Sequence, residues 1–494
     1  MAVRLSRATL AGIVGPVAVP GYQPGELSPG IVHIGVGNFH RAHQAVYLDE
    51  LFGRGLDRDW ALIGAGVRES DAEMRTDLAA QDFLTTVVAQ EAASSQARVI
   101  APMLDFVAPG DTETVLAKLV DPRTRIVSLT VTEGGYYVDP ASQAFAADHP
   151  EIVADAADRL QRPKTAFGLI AAALLRRRAA GIAPFTVMSC DNLPGNGHVA
   201  EATVAGLLEL VDRSDAAWIR ENVAFPNGMV DRITPATTQR ERDSLQAEFG
   251  IDDRRPVFCE DFRQWVLEDR FPAGRPRLEE VGVQFVADVA PFELMKIRIL
   301  NGGHAAIAYP AGLLDIHYVH EALADEQIAR FLSALLDAEV IPMVPPVPKT
   351  DLHQYKSTIE RRFANPKIGD TIRRLCLDGS NRQPKFILPT IRDALKAGRA
   401  IDGLALVCAL WCRYCYGETE TGQPIAPNDP IWPRLTMRAR QARLAPEAWL
   451  AMQDIYGDLG DDRRFREAFS RALERTWEFG TRSTIDRYLA SLGS

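Results

Sequence analysis

Residues 31–43, IVHIGVGNFHRAH, decide the fold: an apolar run, two glycines two positions apart, then a helix-forming stretch. That order is the strand, turn and helix with which a Rossmann fold begins. Gly35 and Gly37 let the backbone turn tightly and approach a pyrophosphate, whose charge would rest on the amides of a helix beginning near Phe39. Asn38, Phe39 and Arg41 follow directly and join the two glycines as candidate cofactor-binding residues. His40 stands where the third glycine of the pattern belongs. G-x-G between hydrophobic residues also occurs in ordinary tight turns, so the neighbouring segments must carry the reading.

Working outward, WALIGAGV at 60–67 reads as a second strand and is followed by Arg68, Glu69, Ser70 and Asp71. Glu69 is placed to accept hydrogen bonds from an adenosine ribose, which favours NAD and repels the extra phosphate of NADP, although Arg68 beside it leaves room for tolerance. A solvated charged loop is the alternative. RIVSLTVTEGG (125–135) and PFTVMSCDN (184–192) alternate with the helical FGLIAAALLRRRAAG (167–181), continuing the pattern of a parallel sheet. Ligands gather beyond the carboxyl ends of such strands, so Thr132, Glu133, Asp191 and Asn192 are site candidates by position, each of which also reads as a turn residue or helix cap.

From about Pro291 the strand pattern gives way to helical patterns such as HEALADEQIARFLSALLDAEV (320–340), with the proline-rich VIPMVPPVPK (340–349) as an internal loop. The expected division is a Rossmann-type α/β domain over 1–285 and a mainly α-helical substrate domain over 286–494. The chain's 494 residues, 47% hydrophobic, suffice for two cores, and a formal charge of -10 argues against a nucleic-acid surface. No apolar run reaches the length of a membrane span. Gly12, Gly15 and Pro16 interrupt the apolar stretch after Arg4 and Arg7, against a secretory signal. Cys408, Cys412 and Cys415 share a helix face among core residues and read as buried thiols, which together with the small number of cysteines fits the cytoplasm.

MKIRILNGGH at 295–304 carries the chemistry. On an α-helix, at roughly 100° per residue, Lys296, Asn301 and His304 fall within a sector of about 140°. An amine base, an amide donor and an imidazole on one face suit alcohol oxidation, because burial or a neighbouring cation lowers a lysine pKa toward the working pH. The alternative is an amphipathic core helix with Lys296 and Arg298 in water. Gly302 and Gly303 weigh against it, since each weakens a helix by roughly 1 kcal/mol relative to Ala, and they suggest a close backbone approach. The pairs His40/His43 and His317/His320 lack an accompanying cysteine or acid cluster, so no metal is expected.

Five blocks in one order, GVGNFHRAH (35–43), TVTEGGYY (130–137), SCDNLPGNG (189–197), FPNGMVDRITP (225–235) and PFELMKIRILNGGH (291–304), resemble the polyol-specific long-chain dehydrogenases. The resemblance spans nearly the whole chain. It implies zinc-independent, NAD-dependent oxidation of a polyol to a ketose, with mannitol to fructose as the leading expectation and related polyols such as arabinitol also in view. It implies Lys296 as general acid and base, Asn192 and Asn301 holding the reacting oxygen, and His304 positioning substrate. It further implies Asp231 and Arg374 on the other hydroxyls, and Glu293 gating proton passage to the lysine. Hexuronate reductases of the same family are the alternative; Arg373, Arg374, Arg382 and Lys385 are cations available to a uronate carboxylate. A small-molecule substrate is expected, with no nucleic-acid or membrane partner, and the resemblance is compatible with a monomer.

Overall fold

The computed structural model describes residues 2–139 and 144–493. The chain divides into two compact units, Met1–Ala290 and Pro291–Ser494.

In the first unit the strands used here are β1 (Pro29–Ile34), β2 (Ala61–Ala65), β3 (Thr85–Gln90), β4 (Ser95–Ile100), β5 (Met103–Val107), β6 (Ile126–Leu129), β7 (Thr186–Ser189), β8 (Gly228–Asp231), β9 (Val257–Glu260) and β10 (Gln264–Glu268). Its helices include α1 (Asn38–Ala42), α2 (Gln44–Gly53), α3 (Asp71–Ala79), α4 (Ala166–Ala179) and α5 (Asn196–Glu209). The central sheet has the order β5-β2-β1-β6-β7, and every pairing is parallel. That is the doubly wound arrangement, and its order reverses between β1 and β6, where ligands bind in such sheets.

Period-two alternation explains why these segments are strands buried on both faces. Ile31, Leu62, Ile126 and Met188 enter one core cluster, while Val32, Ile63, Val127 and Val187 enter the other, which also takes in Phe167, Ile170 and Leu174 of α4. Registers Ile34↔Leu129 and Leu129↔Ser189 bring the carboxyl ends of β1, β6 and β7 level. A smaller sheet pairs β9, β3 and β4, and β8 runs antiparallel to β10.

The second unit is helical; among its described residues there is no strand, only isolated bridges. Its elements here are α6 (Ala290–Met295), a π-helical turn over Lys296–Asn301, α7 (Gly302–Leu313), α8 (Leu352–Phe363), α9 (Ile372–Leu375), α10 (Gly379–Phe386), α11 (Asp402–Cys415) and α12 (Arg463–Ser491). Every residue of α11 from Gly403 to Cys415 is buried, which makes it the central helix, with α7 and α12 packed on it. All six cysteines of the chain are buried thiols. No described helix is long and apolar enough to cross a membrane.

Candidate active site

The dinucleotide-type turn at the end of β1 is built as its glycines suggest. Gly35 has φ +95°, and a Cβ there would fall 2.2 Å from Thr130 O, so no side chain fits. Gly37 opens α1, which begins at Asn38 and breaks at His43 before α2 continues. His40, in the third glycine's place, is buried and stacks on His33 of β1 with ring centroids 3.4 Å apart. The close helix-to-sheet contact that a glycine usually permits is made here by two flat rings. His33 in turn links Ser128 Oγ (2.8 Å) to Thr130 Oγ1 (2.9 Å), and Thr130 Oγ1 donates to Gly35 O at 2.5 Å.

The other candidates near this turn differ in how they stand. Phe39 stacks on His43, ring centroids 4.8 Å apart. Arg41 is buried; its guanidinium donates to Arg255 O and to Asn38 Oδ1 (2.7 Å), so it orients Asn38. Burial lowers its pKa to about 10. Glu69 is exposed in the turn before α3. The neighbouring Asp71 carboxylate instead ties that turn down, accepting from Val67 N and Arg68 N, both at 2.9 Å.

Beyond β6, Thr132 has φ +65° and ψ +164°, a region essentially reserved for glycine and costly for a β-branched residue by about 1–3 kcal/mol. Asp191, buried at the end of β7, holds it there. Asp191 Oδ1 accepts from Thr132 N (2.9 Å), and Oδ2 accepts from Val131 N (3.0 Å) and Tyr136 Oη (2.7 Å). Arg68 reaches across from the end of β2, donating to Val131 O (3.2 Å) and Thr132 Oγ1 (3.1 Å). Thr132, Glu133 and Asn192 are exposed around this knot. Position in the sheet had marked Asp191 as a possible ligand-facing residue; its carboxylate points into the protein and organises the loop. Asn196 is similarly structural, bonding Asp191 O at 3.0 Å and Gly228 O at 2.8 Å. Asp231 lies buried at the end of β8.

In the second unit the lysine segment departs from the expected α-helix. A π turn spans Lys296–Asn301, and Gly302 N donates to Ile297 O, five residues back. In such a turn residues i and i+5 lie over one another, much as i and i+4 do in an α-helix. Lys296 and Asn301, about 140° apart in α geometry, are thereby drawn closer together on one face. His304 follows Asn301 by three positions in α7 and shares that face. Lys296 is only 7% exposed, so the alternative that placed it and Arg298 in water does not hold. Arg298 is buried and donates to Met343 O and the Asp393 carboxylate. Glu293 is partly exposed in α6, just ahead of the turn.

His304 stacks on Phe363 of α8, centroids 4.0 Å apart, and its Nε2 is sealed from solvent without a hydrogen-bond partner. Burial first, then the charges of Arg374, Arg362 and Arg382, hold its pKa well below the usual histidine range, so the ring is neutral. Arg374 is half-exposed and forked onto Asp370, which raises its pKa. Sequence reasoning missed Arg362 and Phe363, whose only signal was a helix with a basic last turn.

The expected need for close approach at the paired glycines is also corrected. Gly302 and Gly303 are helical, and a Cβ at either would meet neighbours at 3.5 Å or beyond, an ordinary contact. Packing within the protein therefore does not require them. Among the described residues no group of three or more His, Cys, Asp or Glu gathers as a metal site.

A sequence profile of the mannitol dehydrogenase Rossmann domain matches residues 29–280, and one of the mannitol dehydrogenase C-terminal domain matches residues 288–477. A mannitol 2-dehydrogenase from Cereibacter sphaeroides is 58% identical over 476 residues, covering 96% of this chain and 99% of its own. The solved Pseudomonas fluorescens mannitol 2-dehydrogenase, a ternary complex with NAD and D-mannitol, is similar at TM-score 0.87 and 42% identity, covering 99% of each chain. A D-sorbitol dehydrogenase in substrate-free form is similar at TM-score 0.91 and 35% identity, covering 97% of this chain and 100% of that one. The chain belongs to the mannitol dehydrogenase family.

Proposed function

We propose that the protein is an NAD-dependent, zinc-independent mannitol 2-dehydrogenase, interconverting D-mannitol and D-fructose. The observation that carries the reading is the π turn, which sets a shielded amine and an amide on one face, with a neutral imidazole three residues on. Relatives that are mannitol 2-dehydrogenases, one of them 58% identical, support the substrate, and a neighbour solved with NAD and D-mannitol supports the cofactor. Gly37 fits a pyrophosphate's approach, since a Cβ there would meet nothing nearer than Gly35 O at 4.0 Å and its absence leaves the backbone of the turn bare.

NAD, when bound, supplies the hydride acceptor. Lys296 takes the hydroxyl proton during oxidation and returns it during reduction. Asn192 and Asn301 offer amide N–H groups to the oxygen as alkoxide charge develops, each worth about 10²–10³ in rate. A neutral His304 can donate to one hydroxyl or accept from it, which positions the polyol without adding a charge. Asp231 and Arg374 bind the remaining hydroxyls. Lys296 is shielded from bulk water, so its proton must pass through a neighbouring group, and Glu293 is the carboxylate we assign to that passage. Gly35, Gly37, Asn38, Phe39, Arg41, Thr132 and Glu133 form or support the dinucleotide site, with Glu69 on the ribose.

The test is a direct comparison of purified protein on mannitol with NAD and on fructuronate with NADH. Mannitol oxidation exceeding uronate reduction is expected. Dominant uronate reduction would replace this reading with that of a hexuronate reductase.

A further inference from the structure

The strained threonine at the end of β6 lies at the sheet's switch point, and three side chains converge to keep it there. The Asp191 carboxylate accepts the amide hydrogens of Val131 and Thr132. Tyr136, fully buried, anchors that carboxylate with its hydroxyl, 2.5 Å from Ser189 Oγ as well. Arg68 closes the arrangement from the β2 side by bonding Val131 O and Thr132 Oγ1. On its other flank, Thr130 holds Gly35 O, so the glycine turn and the threonine turn share one short strand end. Backbone strain persists only where surroundings over-determine it, and it clusters at ligand-binding and catalytic loops.

We propose that Asp191 is a positioning residue for the dinucleotide: by clamping Thr132 in its strained conformation it holds the exposed Thr132 and Glu133 turn in the shape the cofactor requires. The inference rests on the NAD-binding reading above and adds to it a residue that touches no cofactor. An uncharged amide of the same size breaks the clamp. In Asp191→Asn one face carries N–H, which would meet a backbone N–H or the Tyr136 hydroxyl donor in place of an acceptor.

NADH binding, followed by quenching of protein fluorescence, tests the idea through a double-mutant cycle. Asp191→Asn should raise the NADH dissociation constant about tenfold. Thr132→Gly, which adopts the same backbone without strain, should melt no lower than wild type and still bind NADH less tightly, because it loses the Arg68 bond to Oγ1 and gains backbone freedom in the turn. In the Thr132→Gly background, Asp191→Asn should change affinity less than threefold, since there is no strain left to hold. Equal losses in both backgrounds, or an Asp191→Asn dissociation constant within twofold of wild type, would overturn the proposal. If Asp191→Asn does not fold, Thr132→Gly decides alone: a lower melting temperature or an unchanged affinity refutes the clamp. Wild-type protein that binds no NADH would instead overturn the cofactor reading, and this inference with it.

Discussion

Acidification should destabilise the first unit steeply, because three histidines of one sequence motif are buried in neutral form. His33, His40 and His43 are at most 1% exposed. Burial is the largest cause in each case, lowering His33 and His43 to about 3 and His40 well below 6.5. In the unfolded chain each titrates near 6.5, so below that pH the unfolded state takes up protons the native state refuses. Stability contributed by these rings is therefore present above pH 6.5 and is lost as pH falls. At pH 5 the loss is about 2 kcal/mol per ring, from about 1.36 kcal/mol per pH unit over about 1.5 units, or about 6 kcal/mol for three. Asp49 opposes it, since burial raises its carboxyl to about 6 and the native state binds that proton first. That returns about 1.4 kcal/mol by pH 5, and Asp191 and Asp253, also raised by burial, act in the same direction. The net is a few kcal/mol, a large share of the 5–15 kcal/mol typical of a folded protein.

His40→Phe isolates the effect, because Phe can keep the stack on His33 and cannot take a proton. Urea unfolding at pH 8, 6.5, 5.5 and 5 should show wild type losing stability faster than the variant, by about 2 kcal/mol at pH 5 relative to pH 8. The carboxyl contributions cancel in that difference. Parallel pH dependences for the two proteins would mean that His40 is protonated in the native state, and the description of the turn as a dry stack of neutral rings would be wrong.

Lys296→Ala should fold normally and lose about 10²–10⁴ in kcat for mannitol oxidation; turnover within threefold of wild type would remove the lysine from the chemistry. Glu69→Gln should raise the ratio of kcat/KM for NADP over NAD, and an unchanged ratio would take Glu69 out of the ribose site. Gly303→Ala should raise stability by about 1 kcal/mol, since the added methyl meets only ordinary contacts in a helix. A fall in melting temperature would show that the glycine is structurally required after all.

The Rossmann-type sheet was legible because its signal is local and periodic. IVHI, ALIGA and IVSL are mostly apolar and buried on both faces, and a glycine turn follows the first of them. Lys296, Asn301 and His304 were legible as a group, yet the geometry that unites them was not. A π turn differs from an α turn by one residue of hydrogen-bond register, and no residue in KIRILN announces it; α spacing places Lys296 and Asn301 about 140° apart, and the extra residue per turn removes that offset. Buried partnerships were hidden for a different reason. Asp191 looked like a ligand by its place at a strand end, but whether a carboxylate faces solvent or three donors of its own chain depends on residues up to sixty positions away.

The two departures from regular geometry share a logic. Thr132 occupies a backbone region that β-branched residues avoid, and Lys296 opens a turn that ordinary helices avoid. Neither is selected by local propensity, so each must be held by contacts elsewhere: Asp191, Tyr136 and Arg68 for the first, and the burial of Arg298 against Met343 O and Asp393 for the second. Relaxing either would yield a more regular chain, with an ordinary extended strand end or a continuous α-helix through Asn301. The regular version of the second would swing the amide away from the amine. An unfavourable local geometry maintained from outside, in each unit at the place where the proposed chemistry needs groups held in one position, is the pattern expected of elements shaped by a reaction.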